Sequence, residues 1–353
     1  MKVVISSYTF LPELGGVATH VACLAAAFAR AGHQTTVITL TRGPTSGYGF
    51  EVIRAPSPLT LTTCYASADI LILSNLSLRL IYPALIIRRR VGLWHHSESA
   101  FSTDFDGLAR RSCRAIMDRA IHFATSRYIA KKGRLKNPLV IHPFIGPEHL
   151  AAFQEASREP RSGVLFAGRL EAEKGILHLL DRWPMVRDRL QVKTLRIAGF
   201  GTLSGEVAEF AAAHSGEIHF LGQLSITDVA RAMHRSRYCI VPSLWNEPFG
   251  SVALEAIAAG ALTICTSRGG LPEAVGELGF LYDPDCPNDL DTALRRARER
   301  ELSHLSDSEK HTQYASAVAR HIAKFSPDIA VKQIIAAFEK KPARPEIMPG
   351  PAA

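Results

Sequence analysis

The sequence predicts an α/β protein of two Rossmann-like parallel-sheet domains facing each other across a cleft. Three observations lead there. Short apolar runs alternate with helix-period segments almost from end to end of the 353 residues. The runs are apolar throughout, not alternately polar, as strands covered on both faces must be. Each half also opens in the same way, on a strand, a glycine-bearing loop and a helix. At roughly 100–200 residues per domain, the length accommodates two.

In the first half the strands are Val3–Ser6, Thr35–Leu40, Ile70–Ser74, Gly92–His96, His122–Ser126 and Leu139–Pro143. Between the first two, Val17, Val21, Leu24 and Phe28 recur on one helix face, which closes at Arg30 with Gly32 as its C-terminal stop. The second half repeats the scheme with Val164–Ala167, Thr194–Ala198, Ile218–Leu221, Tyr238–Pro242, Leu262–Thr266 and Phe280–Tyr282. The charge-rich segment Phe153–Arg161 is the expected linker. The division is 1–155 for the first domain and 156–326 for the second. A helix over 327–340 is expected to pack back on the first domain, and a proline-punctuated tail, 341–353, to stay unstructured.

Composition narrows the class. Hydrophobic residues make up 47% and charged residues 21%, ordinary for a globular chain. The six cysteines are scattered with no C-x-x-C pair, which reads as free thiols in a reducing compartment. The first residues run straight into a strand without a leader-like apolar region, so the cytoplasm is the expected location. Ile70–Ile87 imitates a membrane span, but it holds Ser74, Asn75, Ser77, Arg79 and Pro83 where a span needs about 20 mostly apolar residues. A buried strand followed by a helix explains it.

The charge is lopsided. Residues 1–150 carry 17 Lys and Arg against 8 Asp and Glu, while the remainder carries 24 against 25. The whole excess therefore lies in the first half, in Arg88–Arg90, Arg110–Arg114 and Lys131–Lys136. Such a face attracts anionic surfaces, lipid headgroups or pyrophosphates, and nucleic acid is not expected.

Three segments could carry chemistry. Phe10–Gly16 ends in Gly15-Gly16 just before a helix, where the backbone can approach a ligand and free N–H groups can meet an anion. It is not G-x-G-x-x-G, which disfavours a nicotinamide cofactor. Val164–Leu170 runs from a strand into a loop carrying Gly168 and Arg169, with Lys174 and Gly175 opening the next helix. Both cations then sit at the carboxyl edge of a parallel sheet, suited to a diphosphate. In Pro242–Ala256, Glu247 precedes and Glu255 follows a helix start at Gly250, so two carboxylates flank a helix N-terminus.

Glu247 and Glu255, with seven residues between them and Gly269-Gly270-Leu271-Pro272-Glu273 beyond, resemble the E-x7-E signature of retaining, GT-B-fold glycosyltransferases of family four. The likeness extends over Gly168-Arg169-Leu170, Ala198–Gly201, Phe220–Gly222 and Phe325-Ser326. It implies that Glu247 contacts the donor sugar's hydroxyls, that Glu255 grips the nucleotide ribose, and that Arg169 and Lys174 neutralise the diphosphate. It implies further that backbone N–H groups at Phe249, Gly250, Ser251 and Val252, and the Gly15-Gly16 turn, face sugar or phosphate. Gly168 and Gly199 belong to the same donor set, and Leu221 and Gly222 lie near the base. A histidine closing an N-terminal strand faces the sugar. Trp94–Glu98 offers His95 and His96, of which strand alternation admits one, and His96 is chosen.

The function so implied is retaining transfer of a sugar from a UDP- or GDP-sugar to a hydroxyl acceptor, in cell-surface polysaccharide or glycolipid synthesis. No metal or other cofactor is expected, since cationic side chains can take the metal's part. The acceptor is expected to be lipid-linked, met at an anionic inner leaflet by the basic domain. A soluble small acceptor, a UDP-sugar epimerase and a non-catalytic nucleotide-sugar-binding protein are the alternatives.

Overall fold

The computed structural model describes residues 1–13, 15–87, 89–98, 107–145 and 160–340, with the side chains of 108–110, 305 and 306 outside it. Most of the expected linker, Arg88 and the tail 341–353 lie outside the described residues.

Two all-parallel sheets organise the chain. The first holds β1 (Lys2–Ser7), β2 (Gln34–Thr39), β3 (Glu51–Arg54), β4 (Ile70–Ser74), β5 (Gly92–His95), β6 (Ile121–Ala124) and β7 (Leu139–Val140), in the order β3-β2-β1-β4-β5-β6-β7. The second holds β8 (Val164–Ala167), β9 (Leu195–Ala198), β10 (Ile218–Gly222), β11 (Tyr238–Val241), β12 (Leu262–Thr266) and β13 (Phe280–Tyr282), in the order β10-β9-β8-β11-β12-β13. The two-domain α/β fold read from the sequence is therefore the observed one. One strand escaped the reading, β3, whose apolar content is only Val52 and Ile53. It is a four-residue edge strand, and its Arg54 points three nitrogens at the backbone carbonyls of Leu11, Thr41 and Pro44.

Both faces of each sheet are buried, which is why the strands are apolar without alternation. In the first sheet Val3, Ile5, Val37 and Ile72 pack toward the helix Gly16–Arg30, while Val4, Ile38, Leu71 and Leu73 pack toward the helices Pro58–Ser67, Leu78–Ile86 and Gly107–Met117. The helix Pro327–Glu339 returns to this first core and buries Ala330, Val331 and Ile334 in it. Arg90 donates to the carbonyl of Phe338 at 2.8 Å, and Arg89 to that of Ala68 at 2.6 Å. Two of the arginines that the sequence offered to an anionic surface thus serve the fold.

The domains meet through their strand ends. Ser126 Oγ donates to the carbonyl of Pro248 at 2.5 Å, and the Glu273 carboxylate accepts the backbone N–H groups of Arg127 and Tyr128 at 2.9 and 3.0 Å. His142, Phe249 and Phe325 pack their rings at 5.2–5.6 Å beside these bonds.

Candidate active site

In a doubly wound sheet, ligands bind beyond the carboxyl ends of the strands where the strand order reverses. Here those points fall between β1 and β4 and between β8 and β11. Both open on one cleft of about 570 Å³. Gly15, Gly16, His20 and His96 line it from the first domain. Gly168, Arg169, Lys174, Glu247 and the Phe249–Val252 segment line it from the second.

Glu247 is the centre of the second wall and is 8% exposed. One of its oxygens, Oε1, accepts from Lys174 Nζ at 2.7 Å and from Ser243 Oγ at 2.6 Å. Lys174 Nζ also lies 4.7 Å from the centre of the Trp245 ring. Arg169 differs. Its guanidinium, 61% exposed, pairs with Glu173 at 2.8 Å, and a surface pair of this kind holds no more than about 1 kcal/mol. Lys174 is therefore fixed in place, whereas Arg169 is free to exchange Glu173 for a ligand anion.

The loop that carries Glu247 is clamped from below. A Cβ on Gly269, whose φ is +60°, would stand 2.2 Å from the Glu247 carbonyl oxygen, and one on Gly270 would stand 2.6 Å from that of Pro248. Gly270 N–H donates to the Glu247 carbonyl at 2.7 Å. The loop then turns at Gly250 into the helix Ser251–Ala258, whose N-terminus carries no capping side chain and no acidic residue in its first turn. Its free N–H groups and positive dipole end face the cleft.

Four further residues of the implied donor set lie outside these lining residues. At Gly199 a Cβ would be 1.8 Å from the Gly168 carbonyl oxygen, so a side chain does not fit beside that loop. Leu221 and Gly222 end β10, two strands out from the switch point, where Gly222 accepts the N–H of Gly199 at 2.8 Å. Glu255 sits a turn into the helix, and burial pushes its carboxyl up to about 8.

On the other wall the structure separates the two histidines. His96, one residue past β5, lines the cleft, with Nε2 3.0 Å from Ser74 Oγ and its N–H donating to Asn75 Oδ1. His95 points away, its Nε2 3.0 Å from His122 Nδ1. The sequence reading missed His20, whose ring stacks 6.4 Å from that of His96 and whose Nε2 lies 3.3 Å from Ser251 Oγ across the cleft. The only sequence signal for it was its place one helical turn after Gly16. Burial holds His20 down to about 3 and His96 well below the usual range, so both rings are neutral near pH 7.

Residues 161–300 match the model of a family described as glycosyl transferases group 1. The matched residues lie within the second domain. With its partner sheet it forms the GT-B fold. A glycogen synthase of Mycobacterium tuberculosis is 38% identical over 147 residues, which are 40% of this chain and 35% of that one. A phosphatidyl-myo-inositol mannosyltransferase of the same organism is 27% identical over 259 residues, 70% of this chain and 67% of that one. The match thus spans about a third of the glycogen synthase. HepE of Anabaena, solved with UDP and glucose, superposes with a TM-score of 0.67 at 18% identity over 95% of this chain and 98% of its own.

Proposed function

We propose that this chain is a retaining glycosyltransferase that moves a sugar from a nucleoside-diphosphate sugar, of UDP or GDP, to a hydroxyl acceptor. The observation that carries the reading is the convergence of Lys174, Glu247 and the uncapped N-terminus of Ser251–Ala258 on one cleft between two switch points. Lys174 and the N–H groups of residues 249–252 supply fixed positive charge, and the mobile Arg169 adds to it, where a departing diphosphate gathers negative charge. Glu247 is placed to accept hydrogen bonds from sugar hydroxyls. Neutral His20 and His96 offer donors and acceptors on the opposite wall and carry no charge into the reaction.

The resemblance to family four implies the front-face course, in which the donor phosphate itself takes the acceptor's proton. The reaction then needs no metal, and transfer persists in EDTA. The likeness to HepE with UDP and glucose supports the nucleotide-sugar donor. The phosphatidyl-myo-inositol mannosyltransferase supports a lipid-linked acceptor, which would be met at the inner face of the membrane. Among the described residues no helix is long and apolar enough to cross one.

The test is product stereochemistry. An α-linked donor and a hydroxyl acceptor give an α-linked product by NMR. A β-linked product contradicts retention, and donor conversion without acceptor makes the chain an epimerase.

A further inference from the structure

The helix Leu78–Ile86 has two faces that do not match its setting. Leu80, Ile81, Pro83 and Ala84 are buried in the core beneath the first sheet. The opposite face carries Leu78, Tyr82 and Ile86, spaced four residues apart and so stacked along one side. They are 41%, 36% and 78% exposed. Leu59, in the first turn of the neighbouring helix Pro58–Ser67, is 77% exposed. Single exposed apolar residues need no explanation, but an aligned stripe does.

What surrounds the stripe says what covers it. Arg79 borders it on the same helix. Arg111 and Arg114 are exposed on Gly107–Met117, the helix packed on its other side. An apolar ridge between guanidinium groups matches an anionic bilayer, whose headgroups pair with the arginines while its acyl boundary receives the apolar side chains. The ridge also stands close to the reaction centre. Leu78 starts its helix three residues after Asn75, which with Ser74 holds His96 in the cleft.

We propose that the Leu78–Tyr82–Ile86 ridge with Arg79, Arg111 and Arg114 is the surface by which this chain lies on an anionic membrane, with the cleft mouth at the headgroup level. This rests on the lipid-linked acceptor of the proposed function and assigns the face that meets the lipid. The residues that look most like a membrane span in the sequence act through one exposed helix face lying in the interface. The arrangement makes the two contributions separable. Salt screens the arginines, since the screening length falls from about 10 Å at 0.1 M to 3 Å at 1 M, and leaves the apolar contact in place.

The experiment is co-sedimentation of the full chain with phosphatidylglycerol-containing and with pure phosphatidylcholine vesicles, at low and high salt. The parent binds the anionic vesicles. The variant L78S/Y82S/I86S loses at least tenfold in affinity, and Arg111→Ser with Arg114→Ser loses binding chiefly at low salt. Ile86→Trp reports insertion directly, as a blue-shifted emission quenched by brominated acyl chains beyond the quenching of the parent. Nucleoside-diphosphate binding by the serine variant stays at the parent value, which checks its fold and keeps this proposal distinct from the donor reading. Two results overturn the proposal. One is serine-variant binding equal to the parent, with no quenching at position 86. The other is a parent dimer that the serine variant dissociates, which would make the ridge an interface with a second copy. Failure of nucleotide binding in the parent itself would instead count against the donor reading.

Discussion

The two walls of the cleft are built by different means. The second-domain wall is backbone held in place by backbone: Gly269 and Gly270 against the Glu247 loop, Gly199 against Gly168, and a helix start at Gly250. The opposite wall is made by side chains, His20 stacked on His96 and His96 tethered to Ser74 and Asn75. Backbone packing tolerates few residues and little change in spacing, so it writes itself into sequence as motif. Side-chain packing can be met by many combinations and leaves little trace. The comparison predicts where each wall breaks.

The largest effect is expected from Gly269→Ala. Its Cβ must move the Glu247 carbonyl from a residue already at φ +60°. A forced left-handed residue costs about 1–3 kcal/mol. The variant should unfold at a lower temperature in calorimetry and bind nucleoside diphosphate at least tenfold more weakly. Parent-like values in both would mean that the loop is not clamped as described.

The histidine wall should behave in the opposite sense. His96→Ala and His20→Ala are expected to leave nucleotide affinity within about twofold while transfer falls by roughly 100-fold, the low end of the loss for a positioned hydrogen-bonding group. Because both rings stay neutral, the transfer rate of the parent should show no histidine ionisation between pH 5 and 8. A rate rising through pH 6.5 that His96→Ala flattens would contradict the neutral pair.

A smaller effect belongs to Glu255. Its folded-state carboxyl titrates at about 8 against an ordinary 4.5. Between those values the folded chain keeps a proton that the unfolded chain has lost, so this group makes stability fall as pH rises from about 4.5 to 8. Urea midpoints across that range should decline less steeply for Glu255→Gln than for the parent. Equal slopes would place the group in water.

The same contrast explains what could be read beforehand. Two parallel sheets followed from apolar runs, and Gly168, Arg169, Lys174 and Glu247 followed from their places at strand ends. The four-residue edge strand Glu51–Arg54 did not, because an edge needs no long apolar run and half its side chains face outward. Gly199 was legible as a glycine, but the Gly168 carbonyl for which it makes room shows only in the fold. His20 sits on a helix whose other signals are those of a core helix, and only the fold brings it to His96 and Ser251. Arg89 and Arg90 counted toward surface charge until the fold gave them carbonyl partners.

The cleft beside Ser251–Ala258 is expected to hold a nucleoside diphosphate through fixed positive charge. Calorimetric titration of UDP, GDP, ADP and dTDP into the parent, Lys174→Ala and Arg169→Ala tests it most directly. One nucleotide should bind the parent best. Lys174→Ala should lose about 1.5–3 kcal/mol of that affinity, the worth of a charge-assisted bond. The exposed Arg169 should cost less when removed, because water screens its charge. Equal affinity of all three proteins for every nucleotide, or no binding by the parent, would contradict the account.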